Sequence, residues 1–426
     1  MGVKMIKHFI CSWLFYWLLV FLIPASSVYD LWMPAFFLQL CFIFLVLIGY
    51  SWFWFASNAR PPEWGARILE NSEKMIYVSL ILSVIGTASL IYDKIIIQNI
   101  DYSQGIAVAR EMWRKEGGQR EGGVSSIFSA LGYLLSSSYY VSAVLLIVNG
   151  KRLMASFIYK VSFLIFFLLM VNSVLAGGRS NLLLIMVFVF GAVSAVPGWS
   201  YKTMFASKAL RGSIFVLLVI SSFYLLYVFS ERAEATGIDA TSYVKNFLPY
   251  LGLKLNPWFS DKLNSGLLSS LFSLIALAIS YITHSFSTVS AILDHGPGDK
   301  VIIFLHPVNI VYKLGLISRP DGLWFLSGRF PSLPGALYYQ FGVLGFVVFS
   351  LLIGFLGGVS KVFYIFKPCS LVALGFYLMM YGVLVVSPLL LVVDFMSFPF
   401  VMFSFFMIGA MFRIKCCVKR LENKAR

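Results

Sequence analysis

The sequence predicts an all-α fold: a polytopic membrane helix bundle of about 12 transmembrane helices, within a range of roughly 10–12, with both termini cytoplasmic. Three observations predict it. Hydrophobic residues make up 60% of the 426 residues, only 12% are charged, and the mean hydropathy is +0.87, whereas about a quarter of a soluble domain is charged. The apolar residues fall into long separate runs, and Lys and Arg concentrate in alternate connections between them.

Each apolar run of roughly 20 residues is long enough to cross a bilayer as a helix. In chain order, the runs that meet this criterion are 9–24, 34–56, 76–97, 124–148, 153–176, 180–197, 212–230, 267–293, 335–358, 370–388 and 397–412. A further run, 301–317, is short and contains His306, Pro307 and Lys313. The first run ends at Pro24 without a small-residue cleavage site, so we expect a retained first helix rather than a signal peptide.

The distribution of charge orients the bundle. The segments expected in the cytoplasm hold 19 of the 33 Lys and Arg residues but only 6 of the 18 acids. These segments are 1–8, 57–75, 149–152, 198–211, 294–300, 359–369 and 413–426. The net charge of +15 is therefore mainly an orientation signal, and nucleic-acid binding is disfavoured.

The number of crossings stays open between two alternatives. Both termini on one side require an even number. Either 301–317 crosses, giving about twelve, which we favour, or 267–293 is re-entrant or external, giving about ten.

We expect one integral membrane domain over 1–426. Its external loops are 98–123, 231–266 and about 318–334, and they are too short to form a separate soluble core. We therefore expect them to form the mouth of an active site. The five cysteines have neither metal-ligand spacing nor an even external framework, so we expect no disulfide, no metal and no cofactor.

The external segments contain arginines although positive charge there opposes the usual orientation rule. They are Arg110, Arg114, Arg120, Arg179, Arg232, Arg319 and Arg329. A guanidinium group offers forked donors that match phosphate. In LAGGRSN, 175–181, Gly178, Arg179 and Ser180 open a helix, whose N-terminus adds to an anion site. The alternative is a tight turn whose arginine binds lipid phosphate.

Asp101 and His284 are further candidate site residues. Asp101 lies in 92–123, where Arg110 and Arg114 are four residues apart on one helical face; an amphipathic surface helix is the alternative. His284 is the most interior ionisable group on a clear apolar run. In a straight crossing it would lie about 25 Å from the external end of its helix, unless that helix is tilted, broken or re-entrant. A structural hydrogen bond to a neighbouring helix is the other interpretation.

The absence of several known motifs excludes some classes of enzyme. The sequence has no DxD pair, no P-loop, no HExxH and no GxSxG. Chemistry without a metal would need cationic side chains at a departing phosphate. A transporter would place ionisable groups near the bilayer midplane, whereas most of those here gather at one face, which favours an enzyme over a flippase.

The sequence resembles the bacterial oligosaccharide repeat-unit polymerases, the O-antigen polymerase family. The resemblance rests on the order of motifs along the chain after about residue 90: YDKIIIQNIDYSQGIAVAR (92–110), LAGGRSNLLL (175–184), YVFSERAEATG (227–237), SYITHSF around His284, and ALYYQFGVLGFVVFSLLIGFLGG (336–358).

The resemblance implies a GT-C-like, metal-independent glycosyltransferase in the bacterial inner membrane, with its active site facing the periplasm. Such an enzyme transfers a growing glycan from undecaprenyl diphosphate to the non-reducing end of another lipid-linked repeat unit. It also implies membrane lipid, a flippase and a chain-length regulator as partners. A ligase that transfers the finished glycan to lipid A core remains the nearest alternative, and a lipid-linked oligosaccharide flippase is the second.

The resemblance also assigns residues. Arg110, Arg179, Arg232 and Arg329 fall in matching motifs, with Arg179, Arg232 and Arg329 expected on the donor diphosphate. His284 matches the histidine motif of the family. The acceptor hydroxyl in such a reaction needs a general base, for which Asp101, Glu231 and His284 are candidates, and we favour Asp101. The predicted catalytic set is Asp101, Arg179, Arg232 and His284. The predicted substrate-binding set is Arg110, Arg114, Gly178, Ser180, Glu231, Arg329 and Tyr338.

Overall fold

The protein is a helical bundle with one short β ribbon, seen in a computed structural model. The described residues are 4–22, 25–53, 72–103, 126–149, 153–175, 180–195, 240–257, 269–298, 300–304, 329–367 and 370–425, with isolated positions between these ranges. The predicted helix at 212–230 and the run at 301–317 lie almost wholly outside them.

The helices follow the apolar runs closely. The first five are α1 (Lys4–Leu22), α2 (Trp32–Ser51), α3 (Ser72–Ile91), α4 (Ile127–Ser136) and α5 (Tyr139–Asn149). Next come α6 (Ala155–Leu175), α7 (Ser180–Ala195), α8 (Ala240–Tyr250) and α9 (Ser269–His295). The last three are α10 (Leu333–Phe366), α11 (Leu371–Val386) and α12 (Ser397–Ala425), and the strands are β1 (Ala25–Ser27) and β2 (Leu253–Leu255).

Within the described residues, seven helical stretches are long and apolar enough to cross a membrane, counting α4 and α5 together. Shorter apolar helices, α7, α11 and the apolar part of α12, pack among them. The prediction of an all-α membrane bundle is therefore confirmed. The predicted 124–148 helix is interrupted, because Ser137 and Ser138 form a turn between α4 and α5.

The β ribbon marks one end of the bundle, which we call the ribbon end. Strand β1 follows α1 directly and pairs antiparallel with β2, so that Ser26 lies opposite Lys254. Helix α1 therefore ends, and α2 begins, at the ribbon end. This pairing brings the connection after α8 to the connection between α1 and α2.

Small residues bring α2 and α10 into backbone contact. A Cβ at Gly354 would overlap the carbonyl oxygen of Val46, and a Cβ at Gly49 would overlap that of Leu351. Close approach through small residues is a usual way for membrane helices to associate. Because Gly357 approaches Tyr50 and Gly354 approaches Val46, the two helices run in parallel.

Helix α10 is bent at Gly342, whose φ of 64° and ψ of −167° are not helical. Twelve residues separate Gly342 from Gly354, which is about 18 Å of helix, so Gly342 lies level with the start of α2, at the ribbon end. The arm before the bend is buried, and Leu333 N–H donates to Ser387 O at the end of α11 over 2.9 Å.

Helix α9 lies across the ribbon end. Near its start, Leu277 packs against Leu251 and Leu253, next to the ribbon. Just after its end, Gly298 N–H donates to Tyr339 O over 2.9 Å, three residues before the bend at Gly342. The part of α9 from Leu277 onwards therefore contacts parts of the chain at the ribbon end.

This position bears on two expectations. Gly298, in the segment 294–300 that was expected to be a turn at the opposite, cytoplasmic end, contacts Tyr339 at the ribbon end, which disfavours that placement. It also favours the alternative in which 267–293 does not cross. An apolar run gives length and hydrophobicity, but not direction. The excess of positive charge in the segments expected in the cytoplasm does not depend on 294–300. Without that segment they hold 18 Lys and Arg residues and 4 acids.

Candidate functional site

Arg329 lies among aromatic and backbone groups from distant parts of the chain. Its Nη1 donates to the Tyr29 hydroxyl over 3.4 Å. Its guanidinium carbon lies 5.7 Å from the centre of the Tyr250 ring, a distance suited to a cation–π interaction. The side chain is half-buried. The aromatic contacts hold the guanidinium while part of it remains accessible to an anion.

Gly252 makes room for this arrangement. Its φ of +74° lies in the left-handed region that glycine adopts without strain. A Cβ there would lie 2.7 Å from Ser287 Oγ and 3.0 Å from Arg329 Nη1. The Ser287 hydroxyl also donates to Gly252 O over 2.6 Å. The turn after α8 is thus fixed to α9 and leaves space for the arginine.

His284 fixes the backbone next to Arg329. Its Nδ1 donates to Tyr281 O over 2.6 Å, and its Nε2 accepts the Phe330 N–H over 3.0 Å. This pattern requires the neutral tautomer with the proton on Nδ1. The ring is 1% exposed. Because both nitrogens are occupied, we interpret His284 as a residue that positions Arg329.

A straight crossing would place His284 far from the external end of its helix, but the position of α9 at the ribbon end removes this conflict. The middle of α9 is close to the loops at the ribbon end, since Ser287 donates a hydrogen bond to Gly252 O in the turn after α8. Next to His284, Ser285 Oγ donates to Pro388 O over 2.8 Å. His284 therefore links α9 to the segment before α10, and the neighbouring Ser285 links α9 to the α11–α12 connection.

A second group of polar residues lines a cleft between α3–α7 and the start of α12, which we call the Lys94 cleft. Its cavity volume is about 50 Å³. Its polar lining residues include Lys94, Tyr133, Tyr139, Asn172, Ser180, Asn181 and Ser397. Its apolar lining residues are Leu90, Leu175 and Met396.

A π turn at the end of α3 explains why Lys94 points inward. Over Tyr92–Ile97 the hydrogen bonds reach one residue further than in an α-helix, as in Gln98 N–H to Asp93 O at 2.8 Å. Two consecutive charged residues, Asp93 and Lys94, are consequently buried at 0% and 1% exposure. The Asp93 carboxylate accepts hydrogen bonds from Gln98 and Ser126.

Asp101 precedes a tyrosine, Tyr102, that contacts the end of α6. Its Oδ1 accepts the Ser103 N–H over 2.8 Å. The neighbouring Tyr102 hydroxyl donates to Leu175 O, the last residue of α6, over 3.4 Å. Burial raises the pKa of Tyr102 to about 12, so its hydroxyl keeps its proton at neutral pH. The loop that carries Asp101 is thus held at the edge of the Lys94 cleft, which Ser180 lines.

The α11–α12 connection links the two groups. Pro388, near its start, accepts the hydrogen bond from Ser285 beside His284. Met396 and Ser397, at its end, line the Lys94 cleft. A short 3-10 turn, Val392–Asp394, lies between them. One stretch of chain therefore forms part of both sites.

The remaining predicted residues divide into two sets. Tyr338 is half-buried and packs against the core, close in sequence to the bend of α10. The others lie outside the described residues, so their convergence stays a prediction: Arg110, Arg114, Gly178, Arg179, Glu231 and Arg232.

Sequence reasoning missed Tyr29, Tyr250, Gly252 and Lys94. The first three belong to loops whose pairing no local pattern reveals. Lys94 did carry a signal, since it is a charged residue at the edge of an apolar run. Among the described residues, no three His, Cys, Asp or Glu side chains are grouped to hold a metal ion.

The chain was compared with protein-family models, curated proteins and solved structures, and none of them matches it.

Proposed function

We propose that the protein polymerises lipid-linked oligosaccharide repeat units. In this proposal it is a metal-independent membrane glycosyltransferase of the GT-C-like class, working at the ribbon end. It transfers the growing glycan from undecaprenyl diphosphate to the non-reducing end of another lipid-linked repeat unit. The observation that carries the proposal is the guanidinium of Arg329, held by Tyr29 and Tyr250 at the end of a membrane bundle.

Arg329 suits a diphosphate that leaves during the reaction. Its charge is independent of pH, and its planar donors can meet two phosphate oxygens at once. A donor group held in place before reaction stabilises developing charge without reorganisation. Its position among the loops at one end of the bundle also favours surface chemistry over a transport site near the midplane.

The proposed reaction is a substitution at the anomeric carbon of the donor glycan. The acceptor hydroxyl oxygen forms a bond to that carbon while the bond from the carbon to the diphosphate oxygen breaks. The electron pair leaves with the diphosphate, which Arg329 binds together with Arg179 and Arg232. The hydroxyl proton passes to a carboxylate, for which we propose Asp101.

The proposed location is the bacterial inner membrane with the ribbon end in the periplasm. The basic excess of the opposite segments supports this orientation. Partners in the proposal are the lipid-linked oligosaccharide, membrane lipid, a flippase and a chain-length regulator.

A gene deletion tests the proposal in the source strain. The surface glycolipid of the deletion strain is run on a gel beside that of its parent. A polymerase predicts lipid A core capped with a single repeat unit. Uncapped core, with long polymer still on its lipid carrier, would instead identify a ligase. Unchanged banding would contradict both and leave a transporter of another substrate.

A further inference from the structure

We propose that α8, the turn Leu251–Gly252 and β2 form a lid over Arg329, which opens to admit the diphosphate of a lipid-linked glycan and closes over it. We call this unit the α8–β2 lid. The proposal rests on the proposed function, because it takes the carrier diphosphate as the ligand of Arg329. It adds a movement at the ribbon end that controls access to that residue.

The lid covers part of the guanidinium of Arg329. Tyr250, the last residue of α8, has its ring centre 5.7 Å from the guanidinium carbon. The turn comes so close that a Cβ at Gly252 would lie 3.0 Å from Nη1, and Nη1 also donates to the Tyr29 hydroxyl. Two phosphate oxygens bind side by side, in the plane of the guanidinium donors. Two-donor binding that includes Nη1 therefore needs the lid to move.

The lid packs separately from the main core of the bundle. Leu248, Leu251 and Leu253 of the lid are buried against Leu277 of α9. In the described part of the chain, these leucines form a cluster of their own, apart from the large core that joins the other helices. A segment with few buried apolar contacts opens at a lower free energy than the rest of a protein. The lid can therefore leave α9 without unpacking the core.

The backbone connection of the lid to the bundle is also small. Strand β2 pairs with β1 over three residues, and a two-stranded ribbon is only marginally stable without further support. The carbonyl oxygen of Gly252 accepts the Val28 N–H over 3.0 Å and the Ser287 hydroxyl over 2.6 Å. One carbonyl group thus connects the lid both to the segment after β1 and to α9. These few hydrogen bonds separate the closed form from an open one.

The surface of the lid suits a movable cover. Lys245 and Asn246 of α8 are exposed, whereas Leu248 and Leu251 are buried, so the buried apolar residues are those that meet α9. A closed lid excludes water from a bound headgroup, and the attraction between guanidinium and phosphate is greater away from water. Closure over a substrate in this way is a common use of mobile segments in enzymes.

A reducible cross-link between β1 and the lid tests the proposal. Ser26 and Lys254 lie opposite each other in the ribbon and both are exposed. In a chain whose five natural cysteines are replaced by alanine, Ser26→Cys and Lys254→Cys are combined and joined by a short, reducible bis-thiol reagent. Native mass spectrometry of the full chain in nanodiscs follows the binding of undecaprenyl diphosphate over time. The two single variants, treated with the same reagent, are the matched controls because neither can be cross-linked.

The order of addition separates a lid from a damaged site. A cross-link made before the lipid is added should slow lipid binding about 10-fold or more, because it removes the open form. A cross-link made after binding should slow lipid release about 10-fold or more, because the lid then holds the headgroup in place. Reduction of the cross-link should return both rates to those of the controls.

Other results would overturn the proposal. Binding and release rates that the cross-link leaves unchanged would exclude a lid without contradicting the proposed function. Slow binding together with fast release would mean that the cross-link distorts the site, and would exclude a lid as well. Cross-link-dependent binding by a protein that lengthens no glycan would contradict only the reaction. Absence of binding by the protein without a cross-link would contradict both proposals.

Hydrogen exchange of the unchanged protein gives a second test that needs no substitution. The Val28 N–H donates to Gly252 O in the lid, whereas the Gly298 N–H donates to Tyr339 O, at the same end of the bundle but outside the lid. An opening lid predicts faster exchange at Val28 than at Gly298, and slower exchange at Val28 once undecaprenyl diphosphate is bound. Equal exchange at the two amides, with and without lipid, would contradict the proposal.

Discussion

Arg329 Nη1 donates to the Tyr29 hydroxyl over 3.4 Å, although 300 positions separate the two residues. The contact depends on the β ribbon, because Tyr29 N–H donates to Ser27 Oγ, in β1, over 3.1 Å. Ser27 in turn lies 3.1 Å from Ser287 of α9, measured between hydroxyl oxygens. The arginine is thus held by a network that joins the first loop, the turn after α8 and α9.

Replacing Arg329 by lysine tests whether the forked donor matters. Lys keeps the charge but loses the planar pair of donors, so we expect activity to fall about 10–100-fold, as for loss of a charge-assisted hydrogen bond. Glycan transfer by purified protein in liposomes measures it. Lys254→Gln removes a nearby exposed charge on β2 and should leave the rate nearly unchanged. Equal activity of Arg329→Lys and the unchanged protein would exclude a bidentate role.

Gly252→Ala tests the space reserved for Arg329. The new Cβ would lie 3.0 Å from Arg329 Nη1 and 2.7 Å from Ser287 Oγ, so the guanidinium must shift and substrate binding should weaken. Gly296→Ala is the matched control. Gly296 has a similar φ of +86°, but a Cβ there meets nothing within 4 Å. If both variants lose activity equally, backbone strain alone explains the effect.

His284→Ala tests whether this residue positions Arg329 or acts as a base. The Phe330 N–H would lose its acceptor, at a cost of about 1–3 kcal/mol for a buried group, and the KM for the lipid-linked substrate should rise. His284→Gln should recover part of the binding, since its amide oxygen can accept the same hydrogen bond. Both variants should keep the pH dependence of the proposed activity. Loss of one ionisation from the pH profile would instead identify His284 as the base. His295→Ala, at the exposed end of α9, is the control.

Gly354→Ala tests the packing of α2 against α10. The added methyl group would overlap the carbonyl oxygen of Val46, so the helices must separate. We expect destabilisation of about 1–3 kcal/mol, as for overpacked cores, measured by thermal unfolding in detergent. Gly212→Ala is the control, because a Cβ at Gly212 meets nothing within 4 Å. A stability equal to that of the control would contradict the close approach.

The helices could be predicted from the sequence because apolar runs of bilayer length have few other solutions in a membrane protein. The direction in which an apolar run lies in the bundle cannot be predicted in this way. Helix α9 is as long and apolar as a spanning helix, and only its contacts with the ribbon and with Tyr339 reveal that it lies across one end.

The candidate site could be predicted only in part. Arg329 was identifiable because an external arginine opposes the orientation rule, and His284 because it is an ionisable residue in an apolar run. Tyr29 and Tyr250 were not, since contacts between loops far apart in sequence leave no periodic signal. Lys94 depends on a π turn that rotates it inward, and no residue type specifies that turn.

Reconstitution with a defined substrate tests the central claim most directly. Lipid extract from the deletion strain, which should accumulate single lipid-linked repeat units, is added to liposomes that contain the purified protein, with and without lipid A core. The proposal predicts lipid-linked glycans that lengthen by one repeat unit at a time without lipid A core, and no lengthening with Arg329→Gln. Transfer only to lipid A core, with no lengthening on the lipid carrier, would contradict it.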